Sequence, residues 1–240
     1  MIILNIIHNL LWWFVLGVLY FAFTISILPV SYFLKNRQEI FFRAARLWAR
    51  IMVWFSFIPV KISGQKNCPV DGPLIIISNH QSMLDIFLLL AFVPRYFRFV
   101  VKKELFKVPF MSWYMRQVGF LSIDRQAAMK AHRTLEEIKT VLQHNEAVVI
   151  FPEGTRSPDG VLKEFKRGVF DLALTTGSPI LPVGINGTYK IVPKGEIIFR
   201  PVPVTMKFGT VIQVAKNQEP SRKDYQDLIS RVHAEIATLQ

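Results

Sequence analysis

Beyond Pro59 the chain alternates between short apolar runs and longer amphipathic stretches. Apolar runs bounded by turn signals are typical of buried strands, and amphipathic stretches are typical of helices. The predicted strands are Leu74–Ser78, Phe97–Val101, Gly119–Ile123, Ala147–Phe151, Ile180–Ile185, Ile197–Arg200 and Val202–Phe208. The predicted helices are Leu84–Phe92, Phe110–Gln117, Gln126–His144, Lys163–Thr176 and Arg222–Thr238. This alternation predicts an α/β fold with a mixed, largely parallel central sheet flanked by helices.

The N-terminal part of the chain has a different pattern. From Met1 to Leu34 it contains no Lys, Arg, Asp or Glu. The stretch Leu10–Val30 is about as long as a helix that crosses a bilayer, at roughly 1.5 Å per residue. A cleaved signal peptide fits poorly, because no basic residue precedes the apolar run. Aromatic residues at two depths are interpreted as interfacial anchors: Trp12, Trp13, Tyr20 and Tyr32.

A second N-terminal helix is predicted over Glu39–Phe57, with Arg43, Arg46 and Arg50 in one narrow arc. We interpret it as an interfacial helix whose basic arc faces lipid phosphates. The two helices could instead form a hairpin in one leaflet, or the second could be an amphipathic helix packed on the domain. Together they predict a membrane-embedded segment, with everything after Leu34 on the cytoplasmic side of the inner cell membrane.

Composition favours a lipid surface over nucleic acid as the partner. The 240 residues carry a formal charge of +12, and half of them are apolar. The mean hydropathy of +0.32 is high for a soluble domain. Excess positive charge together with excess apolar surface fits a membrane that contains anionic lipid. The single cysteine, Cys68, excludes an internal disulfide framework and any multi-cysteine metal site.

The first chemistry-bearing turn follows the apolar run Leu74–Ile77 and contains His80 and Asp85. On a continuous helix these residues would be rotated by roughly 500° and would not share a face. They can meet if His80 lies in the turn and Asp85 in the first helical turn. That arrangement suits a base and its orienting carboxylate. The segment from Ser82 to Asp85 is also a capping box, and the two roles are compatible.

The second such turn follows the apolar run Ala147–Ile150 and contains Glu153, Gly154 and Arg156. The glycine allows backbone N–H groups to approach an anion, and the guanidinium is suited to a phosphate. Further basic residues, Lys103 and Arg125, follow two other predicted strands. A base at one strand end and anion binders at its neighbours predict a site that moves a proton beside a phosphate.

Other catalytic patterns are absent from the sequence. There is no G-x-S-x-G nucleophile elbow, no H-E-x-x-H metal motif, and no dinucleotide or P-loop glycine pattern. The residues therefore favour direct attack by a substrate hydroxyl whose proton His80 removes. No metal or cofactor is expected, and no nucleic-acid recognition motif is found.

Four sequence blocks in fixed order carry a family resemblance. They are N-H-x-S-x-x-D at Asn79–Asp85, G-F-L-S-I-D-R at Gly119–Arg125, F-P-E-G-T-R-S at Phe151–Ser157 and the L-P-V-G-I block at Ile180–Ile185. As a set they resemble the glycerolipid acyltransferases. Within these, the chain is most similar to 1-acyl-sn-glycerol-3-phosphate (lysophosphatidic acid) acyltransferases. The resemblance covers roughly Leu74 to Asn186.

The resemblance implies roles for individual residues. His80 would deprotonate the sn-2 hydroxyl of 1-acylglycerol 3-phosphate, with Asp85 as its partner. The hydroxyl would then attack an acyl thioester to give phosphatidic acid, without an acyl-enzyme intermediate. Acceptor binding would involve Lys103, Arg125, Glu153, Gly154, Thr155 and Arg156. The acyl-donor site would include Pro182 and Val183. On this basis residues 1–60 are membrane-anchoring helices, and residues 61–240 are the acyltransferase catalytic domain.

Several alternatives stay open at the level of sequence. The chain could be a related acyltransferase that uses another lysolipid or glycerol 3-phosphate itself. It could also be a non-catalytic membrane lipid-binding protein. The donor, as co-substrate, could be acyl-CoA or acyl carrier protein, and the acyl-chain pocket and the oxyanion stabiliser are not identified.

Overall fold

The computed structural model describes residues 7, 9–18, 22, 25–26, 37–124, 128–192 and 199–240, with backbone alone at 128–133. Its helices are α1 (Arg37–Phe55), α2 (Leu84–Phe92), α3 (Met111–Val118), α4 (Ala128–Gln143), α5 (Gly168–Thr176) and α6 (Arg222–Leu239). Its strands are β1 (Val60–Ser63), β2 (Leu74–Ser78), β3 (Arg98–Lys102), β4 (Leu121–Ile123), β5 (Ala147–Ile150), β6 (Ile180–Asn186) and β7 (Val204–Phe208). Residues 9–18 are also helical.

The strands form one sheet in the order β1-β7-β6-β2-β5-β3-β4. Among these strands β6 and β7 pair antiparallel, and the other neighbouring pairs are parallel. The predicted mixed, largely parallel sheet is therefore confirmed. Strands β6, β2, β5, β3 and β4 run in the same direction, so their carboxyl ends share one edge. Open sheets of this kind bind ligands outside that edge.

Strand β2 is buried along its whole length because helices cover both faces of the sheet. Successive strand side chains point to opposite faces. Leu74 and Ile76 pack into the core that includes α1 and α2. Ile75 and Ile77 pack into the opposite core, formed with α4, α5 and α6. The continuous apolar run in the sequence thus reflects two separate cores, which together hold the carboxyl end of β2 in place.

Some predicted elements differ from the structure. Strand β1 was not predicted, because it is four residues long, lies at the sheet edge and exposes alternate residues. The predicted helix Lys163–Thr176 begins only at Gly168. Backbone N–H groups of Lys163 and Lys166 instead bind Glu153 and the carbonyl of Pro152. Of the predicted strand Ile197–Arg200, residues 197–198 lie outside the described chain, and the two that follow are not in a strand.

The N-terminal helical segment packs on the domain. Trp12 is buried, with its ring 5.0 Å from that of Phe199 and 6.3 Å from that of Phe87. The Asn9 amide donates to the Phe199 carbonyl at 3.0 Å. Trp12 is therefore a packing residue, which corrects its interpretation as an interfacial anchor. No helix within the described ranges is long and apolar enough to cross a membrane, so the spanning helix over Leu10–Val30 is not confirmed. Much of that stretch, with Tyr20 and Tyr32, lies outside those ranges.

Two arginines of the predicted basic arc bind the end of α2. Arg46 donates from Nη2 to the carbonyls of Val93 (2.7 Å) and Arg95 (2.6 Å). Arg50 donates to the carbonyl of Ala91 at 3.0 Å. Cations stabilise helix C-termini, where carbonyl groups lack helical partners. Arg46 therefore caps α2, which corrects its assignment to lipid phosphates and fits the alternative of a helix packed on the domain. Arg50 is exposed, and its assignment to lipid phosphates stays a prediction.

We expect Arg46→Met to lower the free energy of unfolding by about 1–3 kcal/mol, because it leaves partly buried carbonyl groups without a charged donor. Methionine keeps the apolar stem in place. Chemical denaturation in a mild detergent would measure the change. The matched control is Arg43→Met, whose exposed partner Glu39 is 2.7 Å away. An exposed pair of this type contributes less than about 1 kcal/mol. Equal effects of the two substitutions would contradict the capping role.

Candidate active site

The carboxyl edge of the sheet brings together most of the predicted site residues. His80 follows β2, and Glu153, Gly154 and Arg156 follow β5. Lys103 follows β3 on the far side of β5. The loops after β2 and β5 are joined directly, since the Ser157 N–H donates to the His80 carbonyl at 2.8 Å. The two main sequence blocks therefore form one site, with Arg156 next in the chain to this contact.

The central feature of the site is the pair of His80 and Asp85. Nδ1 of His80 lies 2.8 Å from Oδ2 of Asp85. Because a carboxylate accepts hydrogen bonds, a neutral ring carries its proton on Nδ1, which leaves Nε2 as the basic nitrogen. The Asp85 side chain is fully buried, whereas that of His80 is 16% exposed. The geometry supports a base that solvent or substrate can reach, oriented by a carboxylate that they cannot.

The Asp85 carboxylate also organises the turn around His80. Its Oδ2 accepts from the backbone N–H groups of Gln81 (2.6 Å) and Ser82 (2.8 Å). Helix α2 begins after Met83 without a side-chain cap, so the predicted capping box does not form, although the carboxylate binds the Ser82 N–H. The hydroxyl of Ser82 donates instead to the Val192 carbonyl at 3.2 Å. Asp85 therefore orients His80 and binds the backbone of the turn, without the reciprocal serine contact of a capping box.

The second oxygen of Asp85 is bound by a residue that sequence reasoning missed. The buried hydroxyl of Thr188 donates to Oδ1 of Asp85 at 2.6 Å. Thr188 follows β6 and Gly187, whose φ is 96°. A Cβ atom at Gly187 would lie 2.5 Å from the Pro203 carbonyl oxygen, so a larger residue there would displace the turn. The Gly-Thr pair just beyond the fourth block was the available signal.

One face of the His80 imidazole stacks on an aromatic ring. Its centroid lies 4.1 Å from that of Phe151, with 18° between the planes. Phe151 is stacked in turn at 6.2 Å on Phe99. The ring of His80 is therefore fixed by a carboxylate at one edge and by packing on one face. Both constraints reduce the entropy that the base would lose on engaging a substrate.

Glu153 joins the loops behind His80. Its Oε1 accepts from the backbone N–H of His80 at 2.8 Å, and its Oε2 from that of Lys163 at 3.3 Å. Burial raises the pKa of this carboxyl, and the two N–H groups partly offset that shift. Both oxygens are thus directed at the protein backbone. In the described structure Glu153 positions the turn, and the prediction that it binds the acceptor stays untested.

The turn after Glu153 contains Gly154, Thr155 and Arg156. Gly154 has a φ of +73°, and a Cβ atom there would lie 2.8 Å from Cε of Lys166. Thr155 is exposed, and Arg156 is half-buried. The Lys163 ammonium donates to the Arg156 carbonyl at 2.9 Å, which holds the backbone of the turn. The Gly154 N–H itself donates to the Phe151 carbonyl at 3.2 Å, and the prediction that Gly154, Thr155 and Arg156 bind the acceptor stays untested.

The other predicted anion binders lie beyond β5. Nζ of Lys103 lies 2.5 Å from Oδ2 of Asp124, and this hydrogen bond raises the pKa of the lysine. Lys103 is therefore charged but paired. Arg125 lies outside the described residues. Among the residues that the structure describes, no group of three or more His, Cys, Asp and Glu side chains is arranged to hold a metal ion.

Pro182 and Val183 are buried within β6, paired with Ile77 and Ser78 of β2. They belong to the strand that neighbours β2, the strand that leads into the His80 turn. Just beyond, the side-chain amide of Asn79 pairs with both backbone groups of Ile185, at 2.7 and 2.8 Å. The prediction that Pro182 and Val183 bind the acyl donor stays untested.

An apolar cavity of about 210 Å³ lies between the sheet and α1, α2 and α3. Ala45, Phe99, Leu105 and Met111 are among its lining residues. Because Phe99 also stacks on Phe151, the ring of Phe151 lies between this lining residue and the imidazole of His80. The sequence does not predict the cavity, because its walls come from separate elements whose apolar residues are each typical of a hydrophobic core.

Fold and site place the chain in the class of α/β proteins with a His–Asp pair at the carboxyl edge of a largely parallel sheet, next to basic turns and an apolar cavity. Comparison with known proteins narrows this class. The acyltransferase family model matches residues 59–186, more than half of the sequence. The chain belongs to this family.

The relatives support the same assignment. The crystal structure of the 1-acyl-sn-glycerophosphate (LPA) acyltransferase PlsC from Thermotoga maritima is 31% identical, with a TM-score of 0.81, and covers 98% of this chain and 97% of its own. The chloroplastic 1-acyl-sn-glycerol-3-phosphate acyltransferase BAT2 of Brassica napus is 36% identical over 70% of this chain and 48% of its own. For LPAT1 of Arabidopsis thaliana, also chloroplastic, these values are 38%, 63% and 42%. The chain spans about half the length of these two curated relatives.

We expect Thr188→Val to lower kcat for acyl transfer by about 10- to 100-fold, because Oδ1 of Asp85 loses its donor and the carboxylate can rotate away from His80. Thr188→Ser should restore most of the activity, since it restores the hydroxyl. Thr140→Val, at an exposed position of α4, is the matched control. Thiol release from an acyl thioester at saturating acceptor would measure the change. Full kcat in Thr188→Val with unchanged thermal stability would show that Asp85 is positioned without Thr188.

Proposed function

We propose that this protein transfers a fatty acyl group from an acyl thioester to the sn-2 hydroxyl of 1-acylglycerol 3-phosphate. Nε2 of His80 takes the hydroxyl proton as the oxygen attacks the thioester carbonyl carbon. The C–S bond then breaks, and the departing thiolate takes the proton from the imidazolium. The products are phosphatidic acid and a free thiol. The thiol is that of coenzyme A or of acyl carrier protein.

The observation that carries this proposal is the 2.8 Å contact between Nδ1 of His80 and a fully buried carboxylate. A carboxylate in this position stabilises the imidazolium that forms during attack. General-base assistance of this kind is worth roughly 10²–10⁴ in rate. The names of the relatives supply the acceptor, because they act on 1-acyl-sn-glycerol 3-phosphate.

Acceptor binding in this proposal uses the charges along the carboxyl edge. The backbone of Arg156 lies one residue from the contact between Ser157 and His80. Its guanidinium can bind two phosphate oxygens at once, with Lys103 and Arg125 as further cations. Gly154 and Thr155 shape the turn that carries it. A phosphate held at this turn would bring the glycerol hydroxyls toward His80.

The apolar cavity is the proposed site for the acyl chain of the donor. It is about 210 Å³ in volume, is lined by apolar and aromatic side chains, and approaches His80 through the stacked rings of Phe99 and Phe151. A chain bound there would place its thioester near the base. The size of the cavity would then limit the length of chain that is transferred.

Membrane association belongs to the same proposal. Leu10, Phe14 and Val18 are exposed at helical spacing in the N-terminal segment, and Leu47 and Trp54 are exposed on α1. Large apolar side chains on a basic protein favour an interface with anionic lipid. We place the protein at the cytoplasmic face of the inner cell membrane, where its acceptor is a lipid of the bilayer.

The function is tested by thiol release with purified protein, comparing lysophosphatidate with lysophosphatidylcholine and glycerol 3-phosphate. We expect lysophosphatidate to be preferred and His80→Ala to lower kcat by roughly 10²–10⁴. Asp85→Asn should cause a similar loss while the protein stays folded, because an amide can retain the backbone contacts without the charge. Preference for another acceptor, or activity that survives His80→Ala, would contradict the proposal.

The chain-length role of the cavity has a separate test. Ala45→Leu adds apolar atoms to the lining and should move kcat/KM toward shorter acyl thioesters across a series from octanoyl to stearoyl. Ala44→Leu changes the neighbouring residue, which is not part of the lining, and should leave the preference unchanged. An unaltered chain-length profile in Ala45→Leu would remove the acyl chain from this cavity.

A further inference from the structure

The segment between β3 and α3 exposes three large apolar side chains close together in the chain. The fractional exposure is 37% for Leu105, 42% for Val108 and 60% for Phe110. We call residues 105–111 the rim loop. Large apolar residues that are scattered singly on a surface need no explanation, but several within one short loop indicate an interaction surface.

The backbone of the rim loop is strained at its most exposed ring. Phe110 has a φ of 59° and a ψ of −45°, and the N–H of Met111 donates to the Pro109 carbonyl at 2.6 Å. This is a γ-turn with positive φ at its centre, the rarer and strained form. A bulky residue with positive φ is a true outlier among folded proteins. Glycine would adopt this conformation freely, so the aromatic ring is present despite the backbone.

The rim loop also borders the apolar cavity. Leu105 and Met111, at its two ends, are lining residues of the cavity. Val108 and Phe110, between them, are not, and they project from the same loop into solvent. The strained, exposed ring therefore belongs to a loop whose two ends line the cavity that we assign to the acyl chain.

The charges around the rim loop favour an anionic lipid surface as its partner. Lys107 lies within the loop and Lys102 precedes it; both are exposed, and the ammonium of Lys102 is 3.5 Å from the carboxylate of Glu104. Arg116, in the following helix, lies over the ring of Phe106 at 5.4 Å. An aromatic tip bordered by cations is the pattern that enters the boundary between headgroups and acyl chains of an anionic bilayer.

We propose that the rim loop inserts Val108 and Phe110 into the membrane interface, as a contact additional to the N-terminal region. A hydrocarbon chain could then pass between bilayer and cavity without crossing water. The cavity's role in this inference rests on the proposed function, whereas insertion of the loop does not. The strained turn serves to direct the aromatic ring outward, toward lipid.

Insertion can be measured with an environment-sensitive NBD label at Phe110→Cys in a Cys68→Ala background. We expect blue-shifted emission on vesicles of phosphatidylcholine and phosphatidylglycerol, and quenching by lipids that carry a nitroxide on the acyl chain. The matched control is a label at Glu219→Cys, at the exposed start of the α6 region, which should show neither change. A label at position 110 that gives no response to vesicles would overturn the proposal.

A second variant separates insertion from folding. Phe110→Gly relieves the positive φ, so its thermal midpoint should be equal to or above that of the wild type. Its partition to the same vesicles should fall by about tenfold, because a large apolar side chain is lost. Activity on short-chain substrates below their micellar concentration should stay unchanged, while activity on vesicle-borne lysophosphatidate falls. Unchanged partition in a stably folded variant would also overturn the proposal.

Two further outcomes distinguish the alternatives. Emission that shifts on adding purified acyl carrier protein, but not on adding vesicles, would identify a protein-docking surface and refute insertion. Insertion together with no wild-type activity on lysophosphatidate would support the membrane contact while refuting the proposed function. The two proposals can therefore fail separately.

Discussion

The buried carboxylate of Asp85 is the constraint on which the rest of the site depends. A charge removed from water is tolerated only when hydrogen bonds replace the lost solvation. Here they come from the His80 ring, two backbone N–H groups of its own turn and the Thr188 hydroxyl. These donors follow β2 and β6, which are neighbours in the sheet. Folding of the sheet and solvation of this carboxylate are therefore coupled.

The sheet explains why motifs far apart in the chain act together. Parallel strands place their carboxyl ends at one edge, so each βα turn contributes to the same surface. The apolar runs before these turns are buried by helices on both faces, which fixes where each turn begins. The side-chain amide of Asn79, just after β2, hydrogen-bonds to the backbone of Ile185 in β6 and so extends the pairing of these two strands. The chemistry is thus supported by rigid elements and carried on short connections.

Sequence patterns predicted the parts of this structure that depend on local spacing. The His80–Asp85 pair and the strands before each turn were accessible, because their partners are close in the chain or share one periodicity. Thr188 was not, since it meets Asp85 across 103 residues. Arg46 shows another limit. A basic arc on an amphipathic helix suits lipid phosphates and helix carbonyls equally, and only the packing of α1 on α2 decides between them for this residue.

Glu153 has a consequence for how such a protein can be altered. Its two oxygens tie the loop after β2 to the segment before α5, so neither loop keeps its shape without the other. In chimeras with other family members, exchange of one loop alone would separate partners that fit each other. Specificity grafted from a relative should therefore be transferred as a joint module that contains both loops. A hybrid that exchanges only one of the two loops would therefore combine loops that each fit their own parent protein but do not fit each other.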